Sequence, residues 1–177
     1  MKRRFFWGLA IVLFGVLVLT RLYRVHAPDP AEVLINGPKT GQVRKVTLDY
    51  CVDGDTMYFS AGSEELKVRF AGIDAPELED ESGVRDPLAA KAKERACNLV
   101  RGAKEILLET QEDDLYDRYG RLLAWVFADR ELVQYQLVYE GLADTKYLNE
   151  TSLYRAELLE AMRYARKYKR GIWETGE

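Results

Sequence analysis

Between residues 52 and 77, five charged side chains, Asp53, Asp55, Arg69, Asp74 and Glu77, interrupt two short apolar runs with strand-like alternation. That is too much charge for a core and an odd placement for a solvated edge, so the stretch reads as a site. Two aspartates brought together by strand pairing, with a main-chain carbonyl between them, make an all-oxygen donor set that suits a hard divalent ion such as calcium far better than zinc. No softer set competes. The only histidine, His26, lies elsewhere, and Cys51 and Cys97 lack the close spacing of metal ligands. A hard cation beside an arginine and a free carboxylate has the parts for phosphodiester hydrolysis: the positive groups neutralise charge developing on the phosphorus oxygens, and the carboxylate takes a proton from the attacking water.

Those residues need strands and turns to hold them. Asp53-Gly54-Asp55 is a turn signal after the alternating run 43–52, with Gly54 available for a positive φ. Leu66, Val68 and Phe70 alternate with Lys67, Arg69 and Ala71, which sets Arg69 on the face away from the apolar side chains and outside the deep core. Pro76 stops that strand, so Asp74 and Glu77 fall at its end. Further strands are expected at 57–59, 104–110 and 122–128, and helices at 87–101, 132–140 and 151–170, with Gly171 placed to cap the last. Three strands, a helix, two strands and two helices fit an α+β class protein built on a five-stranded OB-fold barrel with three helices. The acidic stretch 78–86 reads as a solvated loop, and Ile172-Trp173 as a segment packing back on the body.

The runs DGDT at 53–56, RFAGIDAPE at 69–77 and DRYGRLLAWVF at 117–127 resemble, in order and spacing, the staphylococcal nuclease (thermonuclease) family. The likeness covers about three quarters of the chain, from near Val43 to Trp173. It implies the same barrel, and it implies that Asp55 and Asp74 ligate calcium through their carboxylates and Ala75 through its carbonyl. Many members have threonine in place of Ala75, a change that keeps a carbonyl ligand. Glu77 matches the family's proposed general base, and Arg69 and Arg121 match the two arginines on the phosphate. Arg118 and Tyr119 match contacts to a terminal phosphate or sugar, and Tyr147 matches an aromatic that helps hold the nucleotide. Arg118 stands for a lysine of the best-known member, and Asn149 for its second tyrosine.

Taken singly, each residue has a blander reading. Asp53 and Asp55 could serve only the turn, Arg69 could be a solvent-facing strand residue, Glu77 a loop carboxylate, Arg121 surface decoration, and Tyr147 core packing. Their joint occurrence favours a site.

At 177 residues with 47% apolar and 31% charged side chains, the chain fits one globular domain with an appendage. Residues 1–26 hold Lys2, Arg3 and Arg4 ahead of the apolar run 5–20, with Arg21 and Arg24 after it. As a helix the run reaches about 24 Å, which snorkelling Arg21 can extend, and Val25-His26-Ala27 before Pro28 is a poor cleavage site. The expectation is an uncleaved signal anchor forming an N-terminal transmembrane helix, with the N-terminus inside and an exported, membrane-held domain; cleavage would make the protein secreted. Residues 27–40 read as a linker and 41–177 as the domain.

The first 27 residues carry five basic side chains and no acidic one, leaving 21 basic against 29 acidic in the remainder, a net of −8. Such a balance points away from tight duplex binding and toward single strands or short fragments of DNA or RNA held at a local site. A monomer is the expected state, and Cys51 and Cys97 are expected as free, buried thiols. Two functions compete: a calcium-dependent nuclease leaving 3′-phosphates, and a catalytically weak or inactive module of the same fold that binds nucleic acid or protein. Retention of Asp55, Asp74, Glu77, Arg69 and Arg121 favours the first.

Overall fold

The computed structural model describes residues 35, 37–40, 42–78, 86–111 and 115–174. The chain divides into two units, 1–32 and 33–177, and all the described residues fall in the second. The expected membrane segment and most of the acidic loop lie outside the described residues. Among the described residues no helix is long and apolar enough to cross a membrane.

Three hairpin-connected strands open the domain: β1 (Val43–Cys51), β2 (Thr56–Ala61) and β3 (Glu64–Phe70). A helix, α1 (Pro87–Gly102), follows, then β4 (Ile106–Glu109) and β5 (Leu122–Ala128). A two-residue β6 (Glu131–Leu132) leads into α2 (Val133–Tyr139), and α3 (Arg155–Lys167) and a 3-10 turn (Gly171–Trp173) end the described chain. β1 is long enough to serve two partners. Val43 to Val46 pair with β4, and Thr47 to Cys51 pair with β2, with a register irregularity between Leu48 and Tyr50. Antiparallel pairing of β4 with β5 and parallel pairing of β3 with β5, Val68 opposite Leu122 and Phe70 opposite Ala124, closes the sheet. The result is the five-stranded closed barrel with three helices that the order of elements implied, and β6 only extends β5.

Met57, Phe59, Val68, Phe70, Leu108 and Phe127 are fully or nearly fully buried. β5 reads as an almost continuous apolar run because helices also pack on the barrel, Ala92, Leu137 and Leu158 belonging to the same core. Gln134 of α2 is buried against β5, its side chain accepting from Val126 N–H at 3.1 Å and donating to Ala124 O at 2.9 Å, so its polar atoms are satisfied.

The segment before β1 is clamped. Glu109, with no exposed surface, accepts from the backbone and hydroxyl of Thr40 and from the Tyr154 hydroxyl. Burial and that bond to Glu109 push the Tyr154 hydroxyl far above the usual phenol range. Lys39 donates its backbone N–H to the same hydroxyl at 2.9 Å, and its side chain reaches Glu157 and Leu153 O.

Two expectations are corrected here. Cys51 and Cys97 are not free thiols: the end of β1 meets α1 with a Cα–Cα distance of 5.9 Å and the two form a disulfide. α3 stops at Lys167, and Lys169 at φ 48°, not Gly171, takes the left-handed position that closes it. The N–H groups of Lys169 and Arg170 then bond Arg166 O and Ala165 O at 3.1 and 2.9 Å, so the last carbonyls are satisfied without glycine.

Candidate functional site

The DGD turn is built by its own side chain, Asp53 Oδ1 accepting the Asp55 N–H at 2.9 Å. Gly54 does not take the positive φ its type allowed. A Cβ there would lie 2.7 Å from Ala75 Cβ and 3.0 Å from Ala92 Cβ, so glycine is required for close approach to the 74–76 segment and to α1. The turn directs Asp55 inward at 6% exposure, where Oδ2 accepts the Ala75 N–H at 2.7 Å and Oδ1 lies 3.2 Å from Arg69 Nε.

Arg69 departs from expectation. It does lie on the face of β3 away from Leu66, Val68 and Phe70, yet it is only 8% exposed. Its guanidinium donates to Phe70 O and Ile73 O at 3.0 and 2.8 Å and to Asp74 Oδ1 at 3.0 Å, while the Tyr147 ring lies 5.4 Å away. Asp74 is held by reciprocal backbone bonds with Asp144 at 2.9 and 2.8 Å, and its other oxygen takes Lys146 Nζ at 3.0 Å. The loop 144–147, distant in sequence, therefore walls off the arginine face.

On the other side Asp117 organises the loop into β5. Its Oδ1 accepts the N–H groups of Tyr119 and Arg121, each at 2.9 Å, its Oδ2 accepts Arg121 Nε at 2.6 Å, and Gly120 at φ 75° completes the turn. Burial alone would raise the Asp117 carboxyl, but the bonds from Arg121 and Tyr119 together outweigh it and hold the group below the usual carboxylate range. Tyr119 is 68% exposed, with Arg118 and Arg121 at 4.7 and 5.4 Å from its ring.

Thr56 joins the two halves. Its hydroxyl lies 3.4 Å from Arg121 Nη1 and 3.3 Å from Asp55 Oδ1, so one polar chain runs Asp117, Arg121, Thr56, Asp55, Arg69, Asp74, Lys146. Arg69, Arg118, Tyr119, Arg121 and Tyr147 line a cleft of about 480 Å³ beside it. Asp55, Asp74 and Ala75 sit behind Arg69, and Glu77 is exposed beyond Pro76, outside the lining of that cleft. Tyr147 is 55% exposed and so is not core packing. Three residues were not singled out from sequence: Thr56, Asp117 and Lys146. Asp117 could have been found as the aspartate opening a D-x-x-G turn; Lys146 left no local signal.

Charge balance tests whether a cation fits. Burial pushes the Asp55 carboxyl up to about 7, against the pull of Arg69 and the Ala75 N–H, and the nearby charges of Asp53 and Asp74 push it further the same way. Asp53, Asp55 and Asp74 thus stand against two cations, the buried Arg69 and the exposed Lys146, a small deficit of positive charge that a hard cation on oxygen donors would offset. The donors available are the carboxylates of Asp55 and Asp74 and the carbonyl of Ala75. Among the described residues no three His, Cys, Asp or Glu side chains gather as a metal-binding group, so water would have to complete the coordination.

Comparison with known proteins agrees with the geometry. A family described as "Staphylococcal nuclease homologue" matches residues 67–175. The chain is 36% identical over 129 residues to the SPbeta prophage-derived endonuclease YokF of Bacillus subtilis, covering 72% of this chain and 43% of that protein. It is 38% identical over 105 residues to the endonuclease YncB of Bacillus subtilis, covering 59% and 49%. A thermonuclease of Staphylococcus hyicus is 29% identical over 170 residues, covering 95% and 96%. The chain therefore spans under half the length of the two Bacillus relatives and nearly all of the staphylococcal one.

Proposed function

Because the chain belongs to the staphylococcal nuclease homologue family, we propose that it is a calcium-dependent nuclease hydrolysing phosphodiester bonds in single-stranded DNA and RNA. The observation that carries this reading is the polar chain linking Arg121 and Arg69 through Thr56 and Asp55, beside a cleft with Tyr119 and Tyr147 at its sides. Arg69, immobilised by two carbonyls and two carboxylates, and Arg121, aimed by Asp117, hold the scissile phosphate and neutralise the charge it gains in the transition state. Fixed cations need no reorganisation as the reaction proceeds, which is what makes them effective. Glu77, exposed and three residues beyond Asp74, takes the proton from the attacking water. Tyr119 and Tyr147 give flat faces for a base or sugar, and Arg118 a charge for a terminal phosphate.

Asp55, Asp74 and the Ala75 carbonyl are the groups that would hold calcium, which when bound supplies Lewis-acid stabilisation of the reacting phosphate. The products would carry 3′-phosphates, the reading that family membership favours. The working form is a monomer whose domain faces an extracytoplasmic space, held by the N-terminal segment or released if that segment is cleaved. The Cys51–Cys97 disulfide and the basic cluster preceding residues 5–20 support this.

The test is cleavage of a single-stranded oligonucleotide by the full chain, with calcium and then with excess chelator. Cleavage is expected only with calcium. Glu77→Gln is expected to lower turnover by about a hundred-fold or more at saturating calcium, with substrate binding kept. Near-wild-type turnover in both Glu77→Gln and Arg121→Ala would give the chain to the non-catalytic binding reading.

A further inference from the structure

The cleft accounts for the cations on one side of the domain and leaves a second set unused. Residues 161–173 read AMRYARKYKRGIW, with five basic side chains and no acidic one between Glu160 and Glu174, whereas residues 28–177 as a whole carry more acidic than basic side chains. Arg163, Arg166, Lys167 and Lys169 are exposed, and none of them forms an ion pair among the described residues.

Helix electrostatics explains only part of this. The C-terminal end of a helix favours cations within its last turn, which covers Arg166 and Lys167. Arg163 lies one turn further back, with Glu160 three residues before it and Arg166 and Lys167 three and four residues after it, so its like-charged neighbours on the helix outnumber the opposite one. Lys169 lies past the end, held in the left-handed conformation that a lysine side chain disfavours. A set of charges maintained against these costs points to an anionic partner.

Aromatic rings are interleaved with the cations. Tyr139 stacks on Tyr164 with ring centroids 4.5 Å apart, and Tyr168 leans on Tyr164 at 4.4 Å with its plane tilted by 45°, so the row of rings runs from the buried α2 to the surface. Arg170 is folded against it, 4.6 Å from Tyr139 and 4.7 Å from Tyr164, and Arg166 lies 4.1 Å from the Trp173 ring. The outermost ring, Tyr168, is 54% exposed with Lys167 Nζ 5.3 Å from its centroid. The stack fixes that ring from below and leaves it exposed beside free cations. Exposed cations around a supported aromatic face are the parts of a platform for unpaired bases and their phosphates. A duplex offers no unstacked base to such a ring.

The location relates to the cleft. Thr151 and Ser152, just ahead of α3, line the cleft, and the patch lies at the far end of that helix. Thirteen helical residues span about 20 Å, roughly six nucleotides at the 3.4 Å spacing of a stacked strand and fewer for an extended one. We propose that Arg163, Arg166, Lys167, Lys169 and Tyr168 form a second contact for single-stranded nucleic acid, gripping the strand that runs out of the cleft along α3. This rests on the cleft's being a nucleic-acid site, and it predicts that long strands bind better than short ones for a reason unconnected with the chemistry.

The experiment uses the full chain and the variant carrying Arg166→Gln, Lys167→Gln and Lys169→Gln, with Tyr168→Ala and Tyr168→Phe as separate variants. Binding of a fluorescent oligothymidylate of about twenty nucleotides is followed by anisotropy against salt, and cleavage of that strand and of one of about four nucleotides gives KM and kcat. The triple variant is expected to bind the long strand at least about tenfold more weakly, with a log–log salt slope shallower by about 2, as three phosphate contacts on a single strand require. KM and kcat for the short strand stay as in wild type. Tyr168→Ala weakens the long strand by about fivefold or more and Tyr168→Phe restores it, because stacking needs the ring and not the hydroxyl.

Equal losses on long and short strands, or no loss on either, overturn the proposal. So does a variant that binds the long strand normally but no longer binds vesicles containing phosphatidylserine, an outcome that reassigns the patch to a lipid surface. A chain that binds the long strand through these residues without cleaving anything leaves the second contact standing and removes the nuclease reading. Cleavage with no contribution from the patch does the reverse.

Discussion

The corner around Arg69 and the loop around Arg121 hold the two arginines of the cleft in opposite ways. Arg69 is buried, its guanidinium engaged by two main-chain carbonyls and two carboxylates that come from the 53–55 turn and from residues 70–74. Arg121 is half-buried and is held chiefly by one carboxylate four residues before it in the same turn. Paired charges in a dry setting are rigid, and losing one partner leaves the others stranded; a charge at the rim can adjust to its substrate and be lost with little harm to the fold. Two residues of one type are thus fixed by different means, one by burial among several partners and the other by a single carboxylate of its own turn.

The largest effect that could break this contrast is on stability. Arg69→Met leaves the buried Asp55 without its counter-charge and Asp74 with Lys146 alone, and is expected to cost about 3–5 kcal/mol in urea unfolding as well as abolishing turnover. A variant with wild-type stability would show the corner to be wetter than its burial indicates. Next comes the covalent brace. Reducing Cys51–Cys97 releases a loop of 46 residues, worth up to about 4 kcal/mol by loop-closure entropy. Because Cys51 directly precedes the DGD turn, the calcium concentration for half activity should rise with reduction; if only global stability changes, the corner does not depend on the bridge.

Arg121→Ala sharpens the contrast from the other side. Turnover should fall about a hundred-fold or more while unfolding shifts by about 1 kcal/mol or less, so activity and stability separate here and fall together at Arg69. The smallest effect is a pH dependence. The Asp117 carboxyl titrates below its unfolded value, so its contribution to the loop is complete above about pH 4 and is lost as pH falls through the lowered folded value. Amide exchange of Tyr119 and Arg121 should accelerate in that acid window, and Asp117→Asn should show the faster exchange already at neutral pH. Exchange that ignores both acid and Asn would mean that the backbone bonds of Asp117 with Arg121 and Gly120 and of Leu115 with Leu123 hold the turn without the carboxylate.

The same two regions show what the sequence could and could not disclose. Alternation along β3 set Arg69 opposite Leu66, Val68 and Phe70, and the turn chemistry of 53–55 and 117–121 set the charges at strand ends. What covers Arg69 is another matter. The wall is Tyr147 and Lys146, brought in by the Asp74–Asp144 bridge across about seventy residues, and no local pattern encodes a contact of that separation. The disulfide escaped for the same reason. A cysteine at a strand end and one in a helix meet only once α1 packs on β1, and that packing uses the missing side chain of Gly54, whose role as a spacer cannot be told from a role in a turn until its neighbours are known. Thr56 was passed over because a strand threonine is ordinary; its hydroxyl matters only after Arg121 arrives from β5's approach.

The clamp at residues 39 and 40 bears on mechanics. A pull arriving from the N-terminal side and passing Ile35, which packs on the core, meets at Lys39 and Thr40 the contacts to Glu109 on β4 and to Tyr154 and Glu157 beside and within α3 before it can reach the first rung of β1. The load is divided between the sheet and a helix, and the buried carboxylate must give up both donors of Thr40 at once for the chain to start peeling, while it keeps the Tyr154 hydroxyl. The first rung of β1 is in this way shielded from a force that arrives from the N-terminal side.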